Sequence, residues 1–132
     1  MYLLDTSPCI DILRNRESAV KDRLARHDPS DIYLCSIVVA ELLYGARKSA
    51  STAKNLALVL EFCEPFVSMP FDDRCAHQYA LIRLDLERAG ARIGANDLFI
   101  AAVAKTHDLI LVTHNTNEFR RIPGLQVEDW RE

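Results

Sequence analysis

The chain is poor in glycine and proline, with 4 and 5 among 132 residues, and they are scattered, which excludes long linkers and low-complexity tracts. The 4 cysteines, Cys9, Cys35, Cys63 and Cys75, form no C-x-x-C pair and lie in apolar contexts. They read as small core residues, not as zinc ligands or a disulfide framework, and so favour a reducing, cytoplasmic setting. No run of about 18 apolar residues occurs, and Met1-Tyr2-Leu3-Leu4-Asp5 lacks the basic region of a secretory signal, so no membrane role is expected. An excess of positive charge is missing too: 16 Lys and Arg stand against 19 Asp and Glu, a net charge of -3. Any nucleic-acid partner must then be drawn by a local basic surface, for which Arg14/Arg16, Arg47/Lys48, Arg83/Arg88/Arg92 and Arg120/Arg121 are candidates. The length suits one domain, residues 1–132, with a core that buries roughly two thirds of the unfolded surface.

Along the chain, strand-like and helix-like segments alternate. Tyr2 to Asp5 reads as a first strand, and Ser7 before Pro8 as a helix start whose hydroxyl caps the helix and frees Asp5 from that duty. A second helix is expected over Glu17 to His27, a strand over Ile32 to Cys35, then a helix capped by Ser36 and ending near Gly45. Thr52 to Phe62 has apolar residues at helical spacing, Phe66 to Met69 is a short strand, and Asp72 to Ala89 is a long helix stopped by Gly90. Asn96 or Asp97 opens another helix, Leu109 to Thr113 is the most strand-like segment, and Val127 to Trp130 is a last edge strand. This alternation predicts an α/β fold with a parallel central sheet and helices on both faces.

Against that frame, the placement of Asp5, Glu41, Asp97 and Glu118 is unusual, because each adjoins an apolar run at a strand end or helix start. An ionised carboxylate among aliphatic side chains is costly unless it is paired or binds a cation. No Lys or Arg lies close before Glu41 in sequence. In parallel sheets, ligands gather outside the carboxyl ends of the strands, and these four distant acids can converge there. Each has a plainer reading: Asp5 as a turn former, Asp97 as a partner of its helix dipole, Glu118 as part of an exposed turn. Glu41, in the middle of an apolar run, is the hardest to explain that way.

Oxygen-only ligands of this kind suit Mg2+ or Mn2+, and such a site suits hydrolysis of a nucleic-acid phosphodiester by water. Thr113 and Asn115 read as turn formers, or as groups that orient a carboxylate or bind phosphate. His114 puts a titratable group beside the pocket, although a metal site does not need it as general base. His27, His77 and His107 read as surface or helix-end residues.

Several motifs, taken in order, carry a resemblance: Leu4-Asp5-Thr6-Ser7; Ser36 with Ala40-Glu41-Leu42 and Tyr44-Gly45-Ala46; Ile93-Gly94 with Asn96-Asp97-Leu98-Phe99-Ile100-Ala101-Ala102; Leu111-Val112-Thr113-His114-Asn115 with Glu118-Phe119; and the closing Ile122-Pro123-Gly124-Leu125 and Glu128-Asp129-Trp130. Over essentially its whole length the chain resembles a small PIN-domain ribonuclease of the VapC toxin type. The resemblance implies that Asp5, Glu41 and Asp97 are metal-binding acids, Glu118 a more variable fourth, and Thr6, Thr113 and Asn115 polar supports. It also implies Mg2+- or Mn2+-dependent cleavage of RNA, often a transfer RNA, inhibition by a cognate VapB-type antitoxin, operator DNA bound only through that antitoxin, and homodimers. Two positions depart from the commonest pattern: Ser7, where Asn is frequent, and His114, where Asn or Arg is frequent.

Two other functions fit less well. A phosphatase of the haloacid-dehalogenase type also begins with strand then Asp, but it wants a second Asp two residues on, where this chain has Ser7. A catalytically silent RNA- or protein-binding adaptor of the same fold is expected to lose one of the central acids, and Asp5, Glu41 and Asp97 are all present.

Overall fold

A computed structural model describes residues 1–132. The chain runs β1 (Tyr2–Leu4), α1 (Thr6–Arg14), α2 (Ala19–Leu24), a short 3-10 turn (Pro29–Asp31), β2 (Ile32–Cys35), α3 (Ser36–Lys48) and α4 (Thr52–Cys63). It continues through β3 (Val67–Met69), α5 (Asp73–Ala89), α6 (Ala95–Thr106), β4 (Ile110–Val112), α7 (Thr116–Phe119) and β5 (Val127–Glu128). The five strands form one sheet in the order β3-β2-β1-β4-β5, and every pair is parallel. β1 is central, with Leu3 beside Tyr33 on one side and Leu111 on the other.

Successive residues of a strand point to opposite faces, so a sheet covered on both sides buries neighbours alike. That is what the central strands do: Leu3 and Leu4, Leu34 and Cys35, and Leu111 and Val112 are all wholly buried. The expected parallel sheet with both faces covered is therefore present. The stretch from Ile100 to Ala104 on α6 is buried without interruption, and Cys9, Cys35 and Cys75 sit in the same core, unpaired. No helix is long and apolar enough to cross a membrane.

Several boundaries differ from the sequence expectation. Asp5, not Ser7, caps α1, and the Ser7 hydroxyl instead accepts a hydrogen bond from the His114 N–H at 3.2 Å. Ser36 is the first residue of α3, and the cap position falls to Cys35 without a side-chain bond. That helix runs past Gly45 to Lys48, since Leu42 and Ala46 are buried on its inner side and packing outweighs the roughly 1 kcal/mol a mid-helix glycine costs. The second helix is shorter than expected, capped by Ser18. Gly90 does stop α5, at φ 65°, where a glycine meets no steric penalty.

The C-terminus is pinned down. Trp130 is 1 % exposed; His27 stacks on it at 5.1 Å, Tyr2 meets its edge at 5.2 Å, and the Arg23 guanidinium lies 5.7 Å from its ring. His27 is thus part of an aromatic layer and not the plain surface residue that its sequence context suggested.

Candidate active site

β1 delivers Asp5 to the carboxyl edge of the sheet, where its carboxyl group is held from two sides. Oδ1 accepts from the Thr6 N–H at 2.8 Å and Oδ2 from the Thr113 hydroxyl at 2.7 Å. Thr113 follows the neighbouring strand β4 and is fully buried. Its hydroxyl oxygen accepts from the Asn115 N–H at 2.9 Å, so its single proton is directed to Asp5. Asp5 itself is 4 % exposed. Burial pushes its carboxyl above the usual range, the bonds from Thr113 and Thr6 oppose that, and the charges of Glu41 and Glu118 add to it.

Asp97 sits in the first turn of α6, and Glu118 reaches it from α7. The Glu118 carboxylate accepts from the Gly94 N–H at 2.8 Å, and a Cβ on Gly94 would stand 3.5 Å from Asp97 Oδ2 and 3.8 Å from Glu118 Oε1. The two carboxyls are in hydrogen-bonding contact, so one of them holds a proton. Asp97 takes it: burial, the bond to Glu118 and the charges of Asp5, Glu118 and Glu41 push it up to about 8. Glu118 goes down, through that bond from Asp97, the Gly94 N–H and the nearby Arg121. Glu41 projects from α3, lining one groove with Asn96 and Phe99 at the head of α6 and another between α1, α3 and α4. The charges of Glu41 and Glu118 bear on both Asp5 and Asp97.

None of the four takes part in an ion pair with Lys or Arg, and Glu41 makes no hydrogen bond with its side chain. The Thr6 hydroxyl, next to Asp5, is buried without a partner. A pocket of mutually repelling carboxylates, with no protein cation among them, has the oxygen donors a hard divalent cation takes. No three His, Cys, Asp or Glu side chains stand ready to grip one ion as they are.

Two expected outcomes follow from this arrangement. Because the folded state raises Asp97 toward about 8, its contribution to stability is present at about pH 4 and lost as pH rises through about 8. In metal-free buffer, Asp97→Asn should match the parent protein near pH 4 and melt a few degrees higher near pH 8. A parent protein more stable than Asp97→Asn at pH 8 would show that the carboxyl is not strained there. Thr113→Val should lower stability by about 1.5–3 kcal/mol, since a bond to a charged acceptor is lost and the Asn115 N–H is orphaned. Urea unfolding reads this directly, and an unchanged midpoint would separate Thr113 from the support of Asp5.

The structure sets Asp5, Thr6, Thr113 and Asn115 in one bonded group and Asp97 beside Glu118, with Glu41 at the groove they border, although two of these serve differently than expected. Asn115 contributes its backbone N–H, not its side chain, and Thr6 contributes its backbone N–H to Asp5. The ring of His114 makes no hydrogen bond to any of the four acids; its Nε2 lies 3.8 Å from Asp11 Oδ2, and burial lowers its pKa. Sequence reasoning missed the role of the Gly94 N–H in holding Glu118 and of Arg121 beside it. The available signal was a lone glycine directly before a helix start, a place where backbone donors are free.

Comparison with known proteins agrees with this geometry. The model of the PIN domain family matches residues 2–125. The chain is 36 % identical over 129 residues to the tRNA(fMet)-specific endonuclease VapC of Salmonella typhimurium, covering 98 % of this chain and 97 % of that one. The structure of VapBC2 from Rickettsia felis bound to a promoter DNA fragment superposes with a TM-score of 0.92 at 34 % identity, covering 98 % of both chains. DNA-bound VapBC from Salmonella typhimurium also gives 0.92, at 36 % identity, over 98 % of this chain and 97 % of that chain. With an all-parallel sheet of this order, and acids gathered at its carboxyl edge, the chain belongs to the PIN-domain family, in its VapC branch.

Proposed function

We propose that this chain is an endoribonuclease toxin, held inactive by a cognate antitoxin, which hydrolyses RNA with the help of Mg2+ or Mn2+ at Asp5, Glu41 and Asp97, with Glu118 as an auxiliary acid. The observation that carries the reading is the meeting of four carboxyl groups, none of them in an ion pair with Lys or Arg, at the carboxyl edge of the sheet. The VapC relatives, named as ribonucleases or a tRNA-specific endonuclease, support the reaction class, and the VapBC complexes support the antitoxin. Residues 1–132 would then form a single PIN domain, acting in the cytoplasm as a homodimer, with operator DNA reached through the antitoxin and a transfer RNA as a fitting substrate.

A divalent cation, when bound, supplies Lewis-acid stabilisation of the charge that builds on the phosphoryl oxygens during in-line attack by water. The protein's part is to hold its ligands. Thr113 and the Thr6 N–H fix both oxygens of Asp5, and the Gly94 N–H fixes one of Glu118. Asp97, whose carboxyl is pushed up to about 8 by burial and by its acidic neighbours, would give up its proton to act as a ligand. Glu41, unbonded, is free to turn toward either groove it lines.

The test is to incubate purified protein, freed of antitoxin, with total RNA with and without Mg2+, and to sequence the 5' ends of the fragments. Discrete Mg2+-dependent ends are expected. Equal fragment patterns with and without the metal, in the presence of a chelator, would sink the metal-dependent reading.

A further inference from the structure

Between α5, the 90–94 loop and the start of α6 lies an open pocket of about 240 Å3. Tyr79, Arg83, Glu87 and Arg92 line its polar side, and Leu86, Ile93, Ala95 and Leu98 its apolar side. The loop is a shared wall, tied at two points to the segment that carries Glu118. The Gly94 N–H bonds Glu118 itself, and Arg121 Nη1 donates to the Arg92 carbonyl at 2.8 Å. Three arginines from three segments of chain are thus gathered beside one flank of the acid pocket. Neither Arg92 nor Arg121 is in an ion pair. Arg83 is posed along α5, donating to the Tyr79 hydroxyl at 3.0 Å, with its Nε 3.8 Å from Glu87.

An acidic pocket in a chain of net charge -3 repels the polyanion it must admit, so attraction has to come from its margins. Single-stranded RNA is held by guanidinium groups on its phosphates and by surfaces that receive its unstacked bases. An ordinary solvated helix face offers the charge alone. Here the charge rims a concave, apolar-floored site one loop away from the reacting groups. Resting on the ribonuclease reading above, we propose that this cavity is a nucleotide subsite for the RNA substrate: Arg92 and Arg83 hold a backbone phosphate flanking the scissile bond, and Leu86, Ile93 and Leu98 receive the adjoining base. Arg92, free of any carboxylate partner, carries more of the binding than Arg83, whose charge Glu87 partly offsets.

The experiment measures binding of a labelled single-stranded RNA of about a dozen nucleotides to the full chain by fluorescence anisotropy, over a range of salt, with hydrolysis blocked by Asp97→Asn. Loss of one phosphate contact to a single strand lowers the slope of log affinity against log salt by about 0.7, so Arg83→Gln/Arg92→Gln, which frees the one phosphate both residues hold, should lower it by about that amount. Glu87→Gln should tighten binding, and Lys54→Gln, exposed on α4, should leave the slope unchanged. In the cleaving protein, Arg83→Gln/Arg92→Gln should raise KM about tenfold, more than it lowers kcat. An unchanged slope overturns the subsite, and a change in sedimentation without a change in slope would make this face a contact between copies instead. Wild-type protein that cleaves no RNA in Mg2+ overturns both readings, whereas wild-type cleavage with an unchanged slope overturns the subsite alone.

Discussion

Alanine at Asp5, Glu41 or Asp97 is expected to lower RNA cleavage on the order of 10^3-fold, the scale seen when preorganised electrostatic stabilisation is removed from a transition state. Glu118→Ala should cost on the order of 10-fold, because its visible work is to hold the Gly94 N–H and to contact Asp97, the kind of support that tunes a ligand. Folding should survive in all four, to be checked by circular dichroism: loss of a carboxyl relieves repulsion, although Asp5→Ala also removes the cap of α1 and the partner of the Thr113 hydroxyl and so should be the least stable. Equal losses at the four positions would overturn the ranking and make Glu118 a full partner. The products carry independent information. Attack by water leaves 5'-phosphate and 3'-hydroxyl ends, while a 2',3'-cyclic phosphate would mean attack by the ribose hydroxyl and refute the mechanism.

Much of this site was legible in the sequence because a carboxylate inside an apolar run has few structural uses. Asp5 and Glu41 announce themselves in that way, and the alternation of strands and helices places Asp5 and Thr113 at one edge of a parallel sheet. What stayed hidden depends on contacts between distant segments. Ser7 seemed the natural cap of the first helix because Pro8 follows it, yet Asp5 caps and Ser7 receives the His114 N–H from across the sheet. Glu118 seemed the weakest of the acids because its local sequence reads as an exposed turn. Only the return of the chain through β4 reveals that it touches Asp97. Local propensity could not end the third helix correctly either, because the burial of Leu42 and Ala46 carries it through Gly45. His27 looked like a helix-end residue until residues near the other terminus supplied the indole on which it stacks.

A groove of 250 Å3 runs between α1, α3 and α4, with Ile10, Leu13, Leu42 and Val59 on its walls, Leu58 at its rim and Glu41 at the margin it shares with the acid pocket. That shape suits an antitoxin tail that folds on binding, laying an apolar segment in the groove and an Arg or Lys among Asp5, Glu41, Asp97 and Glu118. A guanidinium there supplies the positive charge the pocket lacks and can bridge carboxylates through several hydrogen bonds. Leu58 is 41 % exposed, so Leu58→Glu should leave the fold intact while placing a charge against the apolar segment. Affinity for the antitoxin tail peptide should fall by about 10- to 10^2-fold, the cost of setting a charge against an apolar segment. Binding of the peptide should also compete with Mn2+ and weaken in Asp5→Asn/Asp97→Asn at fixed salt. If the peptide binds Leu58→Glu and Asp5→Asn/Asp97→Asn as tightly as the parent protein, without metal competition, inhibition acts elsewhere on the molecule. Loss of affinity in Leu58→Glu alone would keep the groove and remove the cation from the acid pocket.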